Sequence, residues 1–244
     1  MKTSLSALIV LILVVVPACY GGFLDNLLKD TGLLKDTGLA KEQGLDNSTV
    51  ISGLKEALSV GTKNAVKAVS QTDGYLGNDA IKILMPEKIQ KVADVLKKVG
   101  YQQQVDNFIT SMNRAAEAAA PKAANHFVDA IKEMSFDDAQ SILNGGDTSA
   151  TDYFKSKTSG RLYDEFKPVI ASSMNSVGAT RSYKEMMGKY TSLPFVKAES
   201  LDLDHYVTNK SLDGLFHMIS LEEKKIRTDP AARITDLLEK VFRK

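Results

Sequence analysis

The chain has 244 residues, 43% of them apolar and 25% charged, with 31 Lys and Arg against 30 Asp and Glu. Removing residues 1–18, which hold Lys2 and no acid, leaves 30 of each sign, and that neutrality excludes nucleic acid and electrostatic adhesion to anionic lipid as partners, since both need clustered cationic charge. A single cysteine excludes an internal disulfide framework, so stability has to come from an apolar core.

Lys2 precedes an apolar run from Leu5 to Val16, broken by Pro17 before Ala18 and Cys19. That order is a bacterial export signal over residues 1–18, too short for a bilayer-spanning helix of about 20 residues. Val16-Pro17-Ala18-Cys19 resembles a lipobox, which would acylate Cys19 and make it the new amino terminus. Val16 and Ala18 also suit ordinary signal peptidase, so a lipid-anchored and a free periplasmic product both fit. Any membrane attachment is expected through the acyl anchor at Cys19 alone.

Residues 19–46 read as a tether. Leu27-Leu28-Lys29-Asp30-Thr31-Gly32 repeats as Leu33-Leu34-Lys35-Asp36-Thr37-Gly38, then loosely as Leu39-Ala40-Lys41-Glu42-Gln43-Gly44. A six-residue period turns a helix through about 600°, so successive leucines step by about 120° and form no stripe.

From Asn47 the period becomes helical, with Ile51, Leu54, Leu58, Ala65, Val66 and Val69 on one face. Residues 73–78 end that helix in a loop. Ile81 and Ile83 alternate with polar neighbours, as in a short strand, but Met85-Pro86-Glu87 looks like a helix start with proline in the first turn. That helix carries Ile89, Val92, Leu96 and Val99 and stops at Gly100. The next begins near Gln102, with Val105, Phe108, Ile109, Met112 and Ala116 on one face. Seven alanines lie between positions 115 and 124 around Pro121, which predicts close helix packing with a bend at the proline.

Ser135 and Asp138 have capping-box spacing for a short helix that ends at Asn144-Gly145-Gly146. Further helices are predicted at 148–158, 160–177 and 180–191, with Gly178 as a terminator, then a long one at 204–228. Asp229-Pro230 opens a last helix through Leu237, Leu238 and Val241. With no alternating strand series, residues 47–244 read as one all-α bundle of about eight to nine helices.

No catalytic set emerges. Asp213 and His217 share a helix face, yet a closed metal site needs three or four ligands and no HExxH or Cys/His set exists. By helical angle His217 sits opposite the stripe of Leu212, Leu215, Phe216 and Ile219, where it is solvated; His126, beside Phe127 and Val128, belongs at a core edge. No GxSxG or SxxK pattern is present. Neither a metal nor a cofactor is expected.

The candidate binding or buried polar residues are Arg114, Glu117, Asp147, Asp152, Tyr153, Glu223 and Arg227. Arg114 and Glu117, three apart, point away from the Phe108–Met112 face and read as a surface ion pair, or else as lining a second interface or polar pocket. The glycine turn at Gly145-Gly146-Asp147-Thr148 precedes a helix, where a phosphate can bind, but Asp147 opposes an anion there. Glu223 falls on the apolar stripe of the long helix, so it needs a partner or a ligand.

MNRAAEAA at 112–119, GGDTSATDYF at 145–154, RSY at 181–183 and YVTNKSLDGLFHMISLEEKKIRTDPAA at 206–232 closely resemble the bacterial family of domains of unknown function numbered 4197, over roughly residues 53–242. The resemblance implies an exported helical protein of Gram-negative bacteria and carries no activity with it. The expected function is a non-enzymatic helical module that binds or interacts with an envelope protein. The alternative is a carrier whose helices close around a lipid or other apolar molecule, for which the eight methionines are suited.

Overall fold

The computed structural model describes residues 47–176, 178–192 and 202–229. The expected signal, Cys19, the hexapeptide repeat read as a tether and the helix expected after Pro230 lie outside those residues. The described chain is all α-helical, with no strand among the described residues. Its helices are α1 (Asn47–Ser70), α2 (Glu87–Lys98), α3 (Gln102–Ala119), α4 (Ala123–Glu133), α5 (Phe136–Asn144), α6 (Ser149–Ser176), α7 (Ala179–Thr191) and α8 (Leu203–Thr228).

Helix starts follow local chemistry. Ser135 caps α5 by accepting from the Asp138 N–H at 3.1 Å, while Asp138 accepts from the Ser135 N–H at 3.0 Å, completing the capping box. Pro86 takes the position before α2, at φ −57° and ψ 138°, one residue earlier than the first-turn placement expected from sequence. Asp202 caps α8 through the His205 N–H. Pro121 converts the alanine run into a single 3-10 turn, Ala120–Lys122, between α3 and α4. Ala120 and Ala123 stay fully buried on either side of it, while Pro121 and Lys122 are exposed.

The predicted break near residue 159 does not occur: α6 runs unbroken for 28 residues through Gly160 and Pro168. Gly160 faces open space, and a lone glycine costs about 1 kcal/mol against alanine, too little to end a helix held by packing. Phe154, Leu162, Phe166, Ile170 and Met174 are buried along it and outweigh both interruptions.

α8 packs against α6 and α1, α3 against α6 and α7, and α2 against α3 and α7. The centre is aromatic: Phe127 meets Phe154 edge-on at 5.3 Å and Phe216 at 6.2 Å between ring centroids. Ala115, Ala116, Ala119, Ala120 and Ala123 are all fully buried around it. Small side chains let these helices approach closely, as the alanine run implied.

A candidate binding groove and the buried carboxylates around it

Residues 71–86, the connection from α1 to α2, are held down by three side chains of α3. Asn113, fully buried, accepts from the Ile83 N–H at 2.8 Å and donates to the Ile83 carbonyl at 2.9 Å. Glu117 accepts from the Tyr75 and Leu76 amides at 3.1 and 3.2 Å. Its other oxygen takes Arg114 Nη1 at 2.7 Å, and Arg114 Nη2 reaches Asp73 at 2.7 Å. Glu117 first and Asp73 second hold the Arg114 guanidinium protonated more firmly than usual. Asp73 sits at φ 67°, a left-handed turn position that aspartate tolerates better than most residues.

This corrects the surface reading of the Arg114–Glu117 pair. Glu117 is 5% exposed, because the chain from 71 to 86 folds over the face of α3 opposite Phe108 and Met112. The pair is a clamp on backbone amides. Sequence reasoning missed Asn113, Tyr75, Gly214 and Tyr206 as parts of the same construction. A signal existed: alanines on several sides of α3 imply that its carboxyl-terminal half is enclosed all round, so polar residues among them must be buried and bonded.

Tyr75 completes the attachment. Its fully buried ring lies against α8, where its hydroxyl donates to the Ser211 carbonyl at 2.6 Å. Burial, and then the charge of Glu117, push the phenol well above its ordinary range. Gly214 makes the approach feasible, since a Cβ there would lie 2.6 Å from Tyr75 Cε1 and 3.1 Å from Ile81 Cβ. Tyr206, one end of this stretch of α8, donates to the Leu84 carbonyl at 3.0 Å. Partial burial and the nearby Glu87 raise its phenol too.

The result is an open groove of about 820 Å³ between residues 80–90 and α8. Leu84, Met85 and Ile81 give it an apolar floor; Lys82, Lys88, Lys210, Glu87, Asp213 and His217 give it a charged rim. Asp213 and His217 also line a second groove of about 450 Å³, closed on its other side by Thr148, Thr151, Asp152 and Lys155 of the α5–α6 turn and α6. The Asp213–His217 face of α8 is thus a ridge between two concave surfaces. His217 is exposed, as its helical angle indicated, and among the described residues no three His, Cys, Asp or Glu side chains gather as metal ligands.

Glu223 lies apart from the 820 Å³ groove, at the start of α6. It is 5% exposed and accepts from the amides of Ala150 and Thr151, each at 2.9 Å, from Thr151 Oγ1 at 2.8 Å, and from Arg227 Nη2 at 2.8 Å. Arg227 also donates to the Ile142 carbonyl at 2.8 Å, tying α5 to the pair. The helix-start amides that a phosphate could have used are occupied by the protein's own carboxylate. Glu223 has the partner that its place on the stripe requires.

The other candidates separate. Asp147 is exposed in the α5–α6 turn, and Asp152 accepts from Thr148 Oγ1 at 3.1 Å at the edge of the smaller groove. Tyr153 faces elsewhere and donates to the Ala130 carbonyl at 2.8 Å. His126 meets Glu165 at 3.2 Å at the edge of the core.

Fold and site define an all-α protein in which a clamped connection lays an open groove along one long helix. The family model described as Protein of unknown function (DUF4197) matches residues 44–243, and the chain belongs to that family. No curated protein and no solved structure matches it. No helix among the described residues is long and apolar enough to cross a membrane.

Proposed function

We propose that this chain is a non-enzymatic binding module of the bacterial periplasm, carried on the tether of residues 19–46 and recognising its partner through the groove along α8. One observation carries the reading: the buried polar side chains beside the groove are spent on backbone. Asn113, Glu117 and Tyr75 hold residues 71–86 in place, so the groove is preformed, which lowers the ordering cost of binding. Its acids and His217 face solvent, where they can meet charged or polar groups of a partner.

The carrier alternative has less support. Two apolar spaces between α1, α6 and α8 are about 10 Å³ each, and Met85, Met112, Met134, Met174 and Met186 are packed in the core. An apolar cargo would have to part α1 from α8.

The test is a photo-crosslinking amino acid placed at Leu84 or Asp213 in the native host, against Val128 and Phe136, which are exposed elsewhere. Adducts from the groove positions alone support the module; adducts from all four positions, or from none, overturn it. Anchoring is tested separately. Cys19→Ala should move the protein from the membrane to the soluble envelope fraction with an unchanged melting temperature, and unchanged partition would rule the anchor out.

A further inference from the structure

We propose that the groove takes an extended peptide segment carrying a carboxylate, which adds as a strand along residues 82–85. The inference rests on the binding-module reading and gives that module a ligand class. Side chains here alternate in burial, with Ile81, Ile83 and Met85 at 6%, 1% and 6% exposure and Leu84 at 58%. A two-residue period is the mark of extended chain.

Both backbone groups of Ile83 bond to Asn113, so that side chain takes the place of a neighbouring strand on one edge. Successive peptide groups of extended chain face opposite ways, which turns the Lys82 carbonyl and the Leu84 N–H to the other edge. Neither has a hydrogen-bond partner among the described residues. On that edge the Asn78 carbonyl already takes the Lys82 N–H at 2.8 Å, and Tyr206 occupies the Leu84 carbonyl and marks where α8 closes the site, so the Lys82 carbonyl and the Leu84 N–H are the two groups left to a ligand. An unpaired donor and acceptor on an extended edge is where a peptide strand adds. Leu84, which is exposed, lies in the groove to meet its apolar side chains.

Charge selects the peptide. Lys210 is 3.6 Å from Asp213, whereas Lys82 and Lys88, both on the rim, pair with no acid among the described residues. Against the one carboxylate of Glu87 on the same rim, which pairs with no base among the described residues, these two ammonium groups leave a surplus of positive charge that favours a carboxylate on the ligand. They are too few for nucleic acid, whose binding neutralises many phosphates together.

The probes are synthetic peptides of about ten residues, alternating valine and threonine, with two glutamates or with lysines in their place. Binding to the full chain is followed by amide NMR. The glutamate peptides should shift the Leu84 and Tyr206 resonances and slow exchange of the Leu84 amide by about tenfold or more, and the lysine peptides should bind about tenfold more weakly. The Lys82→Glu, Lys88→Glu double variant should reverse that preference, and Leu84→Pro, which deletes the N–H donor, should weaken binding at least about tenfold more than Leu84→Ala, which removes only the side chain.

Glutamate peptides that bind without slowing Leu84 exchange overturn the proposal. So does a folded lysine-reversal variant, of unchanged melting temperature, that binds them as the parent does. If no peptide binds while crosslinking stays confined to Leu84 and Asp213, the peptide falls and the binding module stands; if both fail, both fall.

Discussion

Each oxygen of the Glu223 carboxylate has its own task. Oε1 takes the Ala150 amide and Arg227, and Oε2 takes the Thr151 amide and hydroxyl. Glu223→Ala leaves two helix-start amides and a largely enclosed guanidinium without their anion, and should cost about 3 to 5 kcal/mol in urea unfolding. Glu222, its neighbour, is partly buried, but its partners Asn64 and Lys225 are exposed and can turn to water in its absence, so Glu222→Ala should cost about 1 to 2 kcal/mol. Equal mild losses would refute the buried pairing. At Gly214 the effect is steric: Gly214→Ala drives a methyl into the Tyr75 ring and should cost about 1 to 3 kcal/mol in the same measurement. The burial of Glu223 was legible because helical angle alone puts it on the apolar stripe of α8. That of Glu117 was not, because the chain covering it lies some 40 residues away in sequence, and periodicity describes one helix at a time.

At the scale of elements, capping chemistry was easier to read than helix length. Ser135 and Asp138 announced α5 because their bonds are local, whereas the break expected near residue 159 is absent from α6, whose continuity depends on tertiary packing. The alternation of Ile81 and Ile83 begins in a turn closed on the Asn78 carbonyl and forms no strand; the backbone of Ile83 is partnered by the Asn113 side chain. Asn113→Ala should therefore speed hydrogen exchange at the Ile83 amide far more than at the amides of Tyr75 and Leu76, which Glu117 still holds; equal acceleration at all three would mean that the connection opens as one piece. Asp138 carries a pH signature. The Ser135 hydroxyl first, and the Ser135 N–H second, hold its carboxyl below the usual range. A folded-state pKa that is lowered gives stability present above the unfolded value near 3.9 and lost as pH falls through the folded one. The melting-temperature gap between wild type and Asp138→Ala should be full at pH 7 and shrink below about pH 4. A gap that persists undiminished in acid would show that the carboxylate's charge adds nothing.

For the whole helical unit the most exacting constraint is Tyr75, which joins residues 71–86 to α8 and thereby fixes the groove. No local pattern signals this role, since a tyrosine in a polar turn is ordinarily a surface residue; only the meeting of Glu117, Ser211 and Gly214 around it gives it one. Its phenol is fully enclosed, and burial with the Glu117 charge opposes ionisation. A raised folded-state pKa means stability fully present below the unfolded value near 10 and lost as pH climbs above it. Ultraviolet titration should find one tyrosine that ionises only together with loss of the helical circular dichroism signal. Tyr75→Phe gives up the bond to the Ser211 carbonyl, at a cost of about 1 kcal/mol at neutral pH. In return it should hold its melting temperature more nearly constant above pH 10, so that wild type and variant converge as pH rises. Parallel loss in the two proteins would place the alkaline trigger elsewhere, with the partly buried phenols of Tyr153, Tyr183 and Tyr206, each raised by its own desolvation, as the next to substitute.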